Sequence, residues 1–221
     1  FSHIDGAGNS NAATGAATVT LKIDNQPPSK VLFAGSDSQA EVGFYNKFAN
    51  SQSAAVAIAA NIKTPTDTDI AKIQLTFGGT GLNFANDRVL FDGPSNSLKF
   101  LQLDRNDSDN GWTIGGVSGV DWVYDATSKA LTFSLSSKGA FRNIDVAALE
   151  ASLRFQIQGN LNTTEGVRTF TFDHIDVAGW STQTTNNGAT KTITADFQPP
   201  SAIDLDGNSR GVIDATTLQD R

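Results

Sequence analysis

The side chains best suited to chemistry in this sequence are acidic and amide groups crowded into short segments. Residues 104–111 place three aspartates and two asparagines before a glycine. Such oxygen ligands on a tight loop suit Ca²⁺, which takes six to eight of them at about 2.4 Å. We expect the ion here, although a solvated polar hairpin loop is the alternative. The candidate ligands are Asp104, Asn106, Asp107 and Asp109.

Further acidic pairs occur elsewhere in the chain. One residue separates Asp67 from Asp69, and one residue separates Asp204 from Asp206. In an extended chain such a pair shares one side, where the carboxylates repel each other unless a cation lies between them. The alternative for each pair is an ordinary turn built by Asp and Asn. The remaining candidate calcium ligands are Asp176, Asp204, Asp206 and Asn208.

Aromatic side chains are the second group with binding potential. Trp112 directly follows the acidic segment, so an indole and a cation would flank one cavity and hold an apolar ring or sugar face together with a carboxylate. We expect ligand contacts from Trp112, Trp180, Trp122 and Tyr124. The alternative is core packing, which is strongest for Trp122 because it lies in a strand pattern.

Several chemistries lack the residues they need. There is no cysteine, so disulfides and thiolate metal sites are excluded. The two histidines, His3 and His174, lie in no nucleophile motif, and we expect each to be a structural strand-end residue rather than part of an enzyme. Residues 115–119 are glycine-rich but lack the lysine and helix of a phosphate loop, so a turn is expected there.

The whole-chain composition limits the partners. The formal net charge is −7 and Lys and Arg are scattered, which disfavours nucleic acid and anionic membranes. No apolar run reaches the roughly 18 residues that suggest a membrane helix. The 20 glycines and 14 phenylalanines, with abundant Thr, Ser, Asn and Asp, favour short strands joined by polar turns.

The chain contains an internal repeat. Residues 1–10 recur at 172–181 with seven of ten positions identical, and 24–29 recur at 196–201. We therefore expect 1–28 to be the end of one repeat or an added terminal strand, 29–200 a complete calcium-binding module, and 201–221 the start of the next repeat. The Pro-Pro pairs would mark stiff junctions between modules, because proline cannot continue a sheet ladder.

The hydrophobic pattern predicts an all-β fold. Alternating apolar residues predict strands near 54–58, 73–77, 88–91, 153–157, 168–172 and 190–197, and a hairpin of 122–124 with 130–135. One short helix is expected over 144–151, capped by Asn143, with Val146, Leu149 and Leu153 facing inward. This pattern is typical of an immunoglobulin-like β-sandwich with one short helix.

Six runs of residues resemble a known family: 64–70 (TPTDTDI), 77–82 (FGGTGL), 124–133 (YDATSKALTF), 166–172 (GVRTFTF), 174–179 (HIDVAG) and 203–208 (IDLDGN). They are similar to repeats of giant RTX-type, biofilm-associated bacterial adhesins. The resemblance implies immunoglobulin- or cadherin-like sandwiches stiffened by Ca²⁺, exported by type I secretion and displayed on the cell surface. The expected partners are adjacent repeats and a peptide or glycan on a host or neighbouring cell.

That resemblance leaves two functions open. In one, the module is a monomer that binds a ligand of its own during attachment and biofilm formation, and Trp112 and Trp180 favour this interpretation. In the other, the module is a passive spacer that Ca²⁺ only stiffens. We expect no membrane insertion and no catalytic activity in either case.

Overall fold

The computed structural model describes residues 28, 31, 39–43, 55–59, 62–65, 69–158, 166–182 and 189–196. These residues form a mostly β structure with two sheets and one short helix, in agreement with the all-β expectation. The expected repeat boundaries fall outside the described residues or at their edge, as do His3, Asp67, Asp204, Asp206 and Asn208.

The strands of the described residues, in chain order, are β1 (Gln39–Gly43), β2 (Val56–Ala57), β3 (Ile70–Gly78), β4 (Asp87–Asp92), β5 (Leu98–Gln102), β6 (Asp107–Ile114), β7 (Val117–Asp125), β8 (Ala130–Leu135), β9 (Arg154–Ile157), β10 (Gly166–Asp176) and β11 (Ala189–Asp196). The helix α1 is Asn143–Ser152. The larger sheet has the order β1-β11-β10-β3-β8-β7-β6, and the smaller has β2-β9-β4-β5. All pairs are antiparallel except β1 with β11.

Strict alternation explains why the central strands form. In β3, Ile73, Leu75 and Phe77 are buried while the residues between them are more exposed. Such a period-2 pattern gives a strand one apolar face, which packs against another layer. The predicted hairpin of β7 and β8 is confirmed, and a turn over 126–129 joins its strands. Both sheets contribute to one core, so they pack as in a β-sandwich.

The predicted helix is confirmed, including its inner stripe of Val146, Leu149 and Leu153, which are all buried. The expected cap at Asn143 is wrong, because Asn143 lies inside the first turn and Arg142 precedes it. No side chain caps the N-terminus of this helix. Instead the Arg142 guanidinium binds both carboxylate oxygens of Asp145 at 2.7 Å and ties the first turn to the extended chain before it.

Two buried polar pairs connect layers of the fold. Arg168 of β10 and Asp87 of β4 are both inaccessible and form an ion pair at 3.1 Å between the two sheets. Burial raises the pKa of Asp87, although the hydrogen bond from Arg168 opposes that shift. Removing one partner of such a pair leaves a buried charge without compensation. No helix among the described residues has the length and apolarity that crossing a membrane requires.

Candidate functional site

The acidic segment that follows β5 is part of a strand over most of its length. Residues 103–106 cross from the small sheet to the large one, and Asp107 begins β6, which pairs with β7. The expectation of a tight loop is therefore wrong from Asp107 onward. Successive side chains of a strand point to opposite faces, so Asp107 and Asp109 share one face of β6 and Ser108 lies on the other.

Several oxygens of this segment bind protein groups. One oxygen of Asp107 forms a 2.6 Å ion pair with Lys99, and the other accepts a hydrogen bond from the Ser108 amide. Asp109 accepts the amide of the next residue, and Asn106 accepts the amide of Ala126. Asp104 lies 4.0 Å from the side chain of its neighbour Arg105. Among the described residues, no three Asp, Glu or His groups come together as a metal site.

A different acidic residue has the environment that a cation would satisfy. Asp176, at the end of β10, is 3 % exposed, and its Oδ1 accepts the Trp180 amide at 2.8 Å. Its Oδ2 is buried and accepts no hydrogen bond in the described structure. Asp69 lies beside it, because the Asp69 carbonyl accepts the Val177 amide at 3.0 Å. An unsatisfied buried carboxylate oxygen is unfavourable, and a bound cation would compensate it.

Trp112 lines an open groove at the corner where the β4–β5 turn meets the β6–β7 hairpin. The groove has a volume of about 700 Å³. The Trp112 ring packs edge-on against Trp122, with centroids 5.4 Å apart, and tilted against Phe91 at 6.1 Å. Its position is therefore held from behind while it remains partly accessible. The lining residues are Asp92, Gly93, Pro94, Ser95, Asn110, Gly111, Trp112, Thr113 and Gly116.

The groove has one carboxylate, and that group is already engaged. Asp92 Oδ2 accepts the Gly115 amide at 2.8 Å and so ties the β4–β5 turn to the β6–β7 hairpin. Asn110 is the only member of the acidic segment on the wall besides the glycine at its end. Of the expected indole and cation around one cavity, the groove therefore contains the indole, whereas the expected calcium ligands of the acidic segment do not line it. The sequence predicts a turn at each of these two places, but only tertiary packing brings the β4–β5 turn and the β6–β7 turn together.

Trp122 and Tyr124 lie in the core, each 1 % exposed. Trp122 packs against Phe91, and the Lys99 ammonium lies 4.8 Å from its ring centroid. The Tyr124 hydroxyl donates to the Leu103 carbonyl at 3.0 Å. Burial, followed by the charges of two nearby aspartates, raises the pKa of Tyr124 to about 12. Neither ring offers a face to a ligand in solution, so the core alternative describes both.

Trp180 is exposed, in contrast to the other tryptophans. It lies in the turn after β10 with 47 % of its surface accessible, and Val177 in the same turn is 59 % accessible. The strand registers place this turn at the same end of the large sheet as the Trp112 groove. Four strand steps separate β10 from β6, which is about 19 Å at the usual spacing.

His174 is buried in β10 and reaches α1. Its Nε2 lies 2.8 Å from Oε1 of Glu150, and both side chains are almost inaccessible. Burial raises the pKa of Glu150, and its hydrogen bond with His174 opposes that shift. This position fits the structural role expected for the histidine. Glu150 gave no signal in the sequence, since a glutamate in a short helix usually faces solvent.

No protein-family model, curated protein or solved structure matches this chain. The chemistry of the described side chains is therefore the basis for assigning a function. Three features remain after the core residues are set aside: the open groove beside Trp112, the buried carboxylate of Asp176, and the exposed turn with Trp180.

Proposed function

We propose that this chain is a module of a bacterial cell-surface adhesin, built as an immunoglobulin- or cadherin-like β-sandwich, which binds a ligand in the groove beside Trp112. The observation that carries this proposal is the groove itself, with a volume of about 700 Å³ and an indole held from behind by Phe91 and Trp122. A fixed, partly exposed indole loses little conformational freedom when a ligand stacks on it.

The groove walls indicate the class of ligand. Gly111 and Gly116 are exposed on the wall, and the exposed Asn110 adds a side-chain amide that both donates and accepts hydrogen bonds. Aromatic faces with a few polar groups suit a sugar ring or an apolar peptide side chain. The ligand is thus a peptide or glycan on a host or neighbouring cell.

A second function, that of a passive spacer, is favoured by the internal repeat. Tandem modules joined by short Pro-Pro junctions form a rod, and a rod needs no ligand. The expected localisation, which is extracellular and on the bacterial cell surface after type I secretion, is common to both functions. They differ in whether the Trp112 groove is ever occupied.

Calcium belongs to the proposal through Asp176 and Asp69. The buried Oδ2 of Asp176 fits a cation because the described structure offers it no donor, whereas the acidic residues of β6 already bind Lys99 and backbone amides. A Ca²⁺ ion held there would neutralise the carboxylate and fasten the end of β10 to the residues before β3. Its effect in this proposal is on stability, and the ligand groove is a separate site between the β4–β5 turn and the β6–β7 hairpin.

The test is a glycan and peptide array probed with the native module and two variants. Thr113 is exposed on the groove wall, so Thr113→Arg should fill the groove without touching the core. Ser108→Arg is the matched control, since Ser108 is exposed on the same strand outside the groove. A hit that Thr113→Arg abolishes and Ser108→Arg retains supports the ligand function. If the native module gives no hit, only the spacer remains.

A further inference from the structure

The two copies of the repeated decapeptide differ in an informative way. Three of their ten positions differ, and two of the three changes introduce apolar side chains in the second copy. Both of these side chains are strongly exposed, so the changes do not serve the core of this module. The differing pairs are Ser2 and Asp173, Gly6 and Val177, and Asn9 and Trp180.

Val177 and Trp180 together form what we call the apolar knob. In the described part of the chain, the Trp180 ring stacks on no other aromatic ring. Contiguous exposed apolar surface marks interaction sites once it reaches a few hundred Å², and the apolar knob approaches that size. Tryptophan is also the residue type most enriched among those that dominate binding energy at interfaces.

The turn that carries the apolar knob is held rigidly. Asp173 accepts hydrogen bonds from Ser181 at 2.7 Å and from the Thr182 hydroxyl at 2.5 Å, and the His174 amide donates to that same hydroxyl. Asp173 is itself one of the changes between the copies, because Ser2 occupies its position in the first. The second copy thus carries both the exposed groups and a brace beneath them. Such preorganisation lowers the entropic cost of binding.

The chain also contains a concave surface suited to the apolar knob. The Trp112 groove lies at the same end of the large sheet, about 19 Å away along the strand order. When a convex and a concave site share one end of a molecule, a two-fold axis between them lets each copy insert its knob into the other. We propose that the ligand of the Trp112 groove is the apolar knob of a second copy of this chain, which makes the module homophilic.

This inference rests on the proposed function, because it names the occupant of the same groove. Val177 and Trp180 expose roughly 200 Å² between them, on the scale of the 150–250 Å² that an aromatic side chain buries. Two knobs with their grooves then bury roughly 800 Å², below the ~1,200 Å² of a stable complex. One pair is therefore weak and a dilute module stays monomeric, whereas an array of modules on a surface gains avidity.

The experiment is bead aggregation, in which many modules on each bead convert the weak contact into visible clusters. Trp180→Asn removes the knob and restores the residue found in the first copy of the turn. Thr113→Arg blocks the groove and keeps the knob, and Ser108→Arg is the control on the same strand. Thermal unfolding of each variant shows whether it is folded. We expect native and Ser108→Arg beads to cluster, and beads of either other variant alone to stay dispersed.

Mixing the two inactive bead types provides the decisive measurement. Thr113→Arg beads still present a knob and Trp180→Asn beads still present a groove, so the mixture should cluster although neither type does alone. Dispersed native beads would overturn the inference, as would Thr113→Arg beads that cluster by themselves, since their knob would then bind outside the groove. An array hit retained by Trp180→Asn and lost in Thr113→Arg would uphold the ligand groove even if self-association failed.

Discussion

Replacement of Asp176 by asparagine tests the calcium proposal. If Ca²⁺ binds the buried Oδ2 of Asp176, then a hundredfold excess over the dissociation constant stabilises the native module by about 2.7 kcal/mol. For a domain of this size, each kcal/mol shifts the thermal midpoint by about 2–4 °C, so the shift between chelator and calcium is about 5–11 °C. Asp176→Asn should lose this increment, because an amide is a weaker cation ligand than a carboxylate.

In chelator the same replacement should change stability by only about 1 kcal/mol in either direction. The asparagine oxygen can still accept the Trp180 amide, and burying a neutral amide costs less than burying an unpaired carboxylate. The measurement is differential scanning calorimetry at two calcium concentrations and in chelator.

Asp107→Asn is the matched control for that measurement. It removes a partly exposed ion pair with Lys99 worth at most about 1 kcal/mol, and it should leave the calcium increment intact. A native midpoint that calcium does not move would refute the calcium proposal outright. A full increment in Asp176→Asn would refute the assignment to Asp176 and return the acidic segment of β6 to consideration.

The buried polar groups give three further predictions. Asp87→Ala should destabilise the module by about 3–5 kcal/mol in urea unfolding, because it removes the carboxylate that compensates the buried charge of Arg168 between the sheets; a loss under 1 kcal/mol would contradict this. Tyr124→Phe should cost about 1 kcal/mol and leave every array hit unchanged, whereas a lost hit would make the ring a ligand contact. Burial raises the pKa of Glu150, so its contribution to stability is complete below its unfolded pKa, near 4.5, and is lost as pH rises through its folded pKa. Glu150→Gln should therefore lose that part of the pH dependence of unfolding, and an unchanged slope would contradict the assignment.

The sequence predicts the elements of this fold better than it predicts their contacts. Strand β3 and the β7–β8 hairpin follow from strict alternation, since one apolar face must be buried wherever the strand lies. The strand β6 was missed because its first residues are Asp, Ser, Asp, Asn and Gly, which have turn propensity but pair along β7 at the edge of the sheet. Tertiary pairing overrides such local preference.

The candidate site shows the same contrast between what the local sequence predicts and what tertiary contacts decide. Trp112 was identified from its neighbours, yet the groove depends on the β4–β5 turn, which is distant in sequence. The sequence predicts Trp122 and Tyr124 at a ligand, but both lie on the buried face of β7. Whether an aromatic residue in a strand is buried depends on which face the opposite sheet covers, and a short pattern does not contain that information.

In the repeated decapeptide, the positions that the two copies share can be compared with the three positions at which they differ. In residues 172–181 the shared positions have structural roles: His174 contacts α1, Asp176 accepts the Trp180 amide, and Gly179 has a φ of 89° that suits glycine. The positions that change are Val177 and Trp180, which face solvent, and Asp173, which braces the turn. A repeat array that keeps the first set and varies the second can alter what each module binds without altering its fold. An exposed tryptophan in one copy and an asparagine in the other is what such a division of roles would produce.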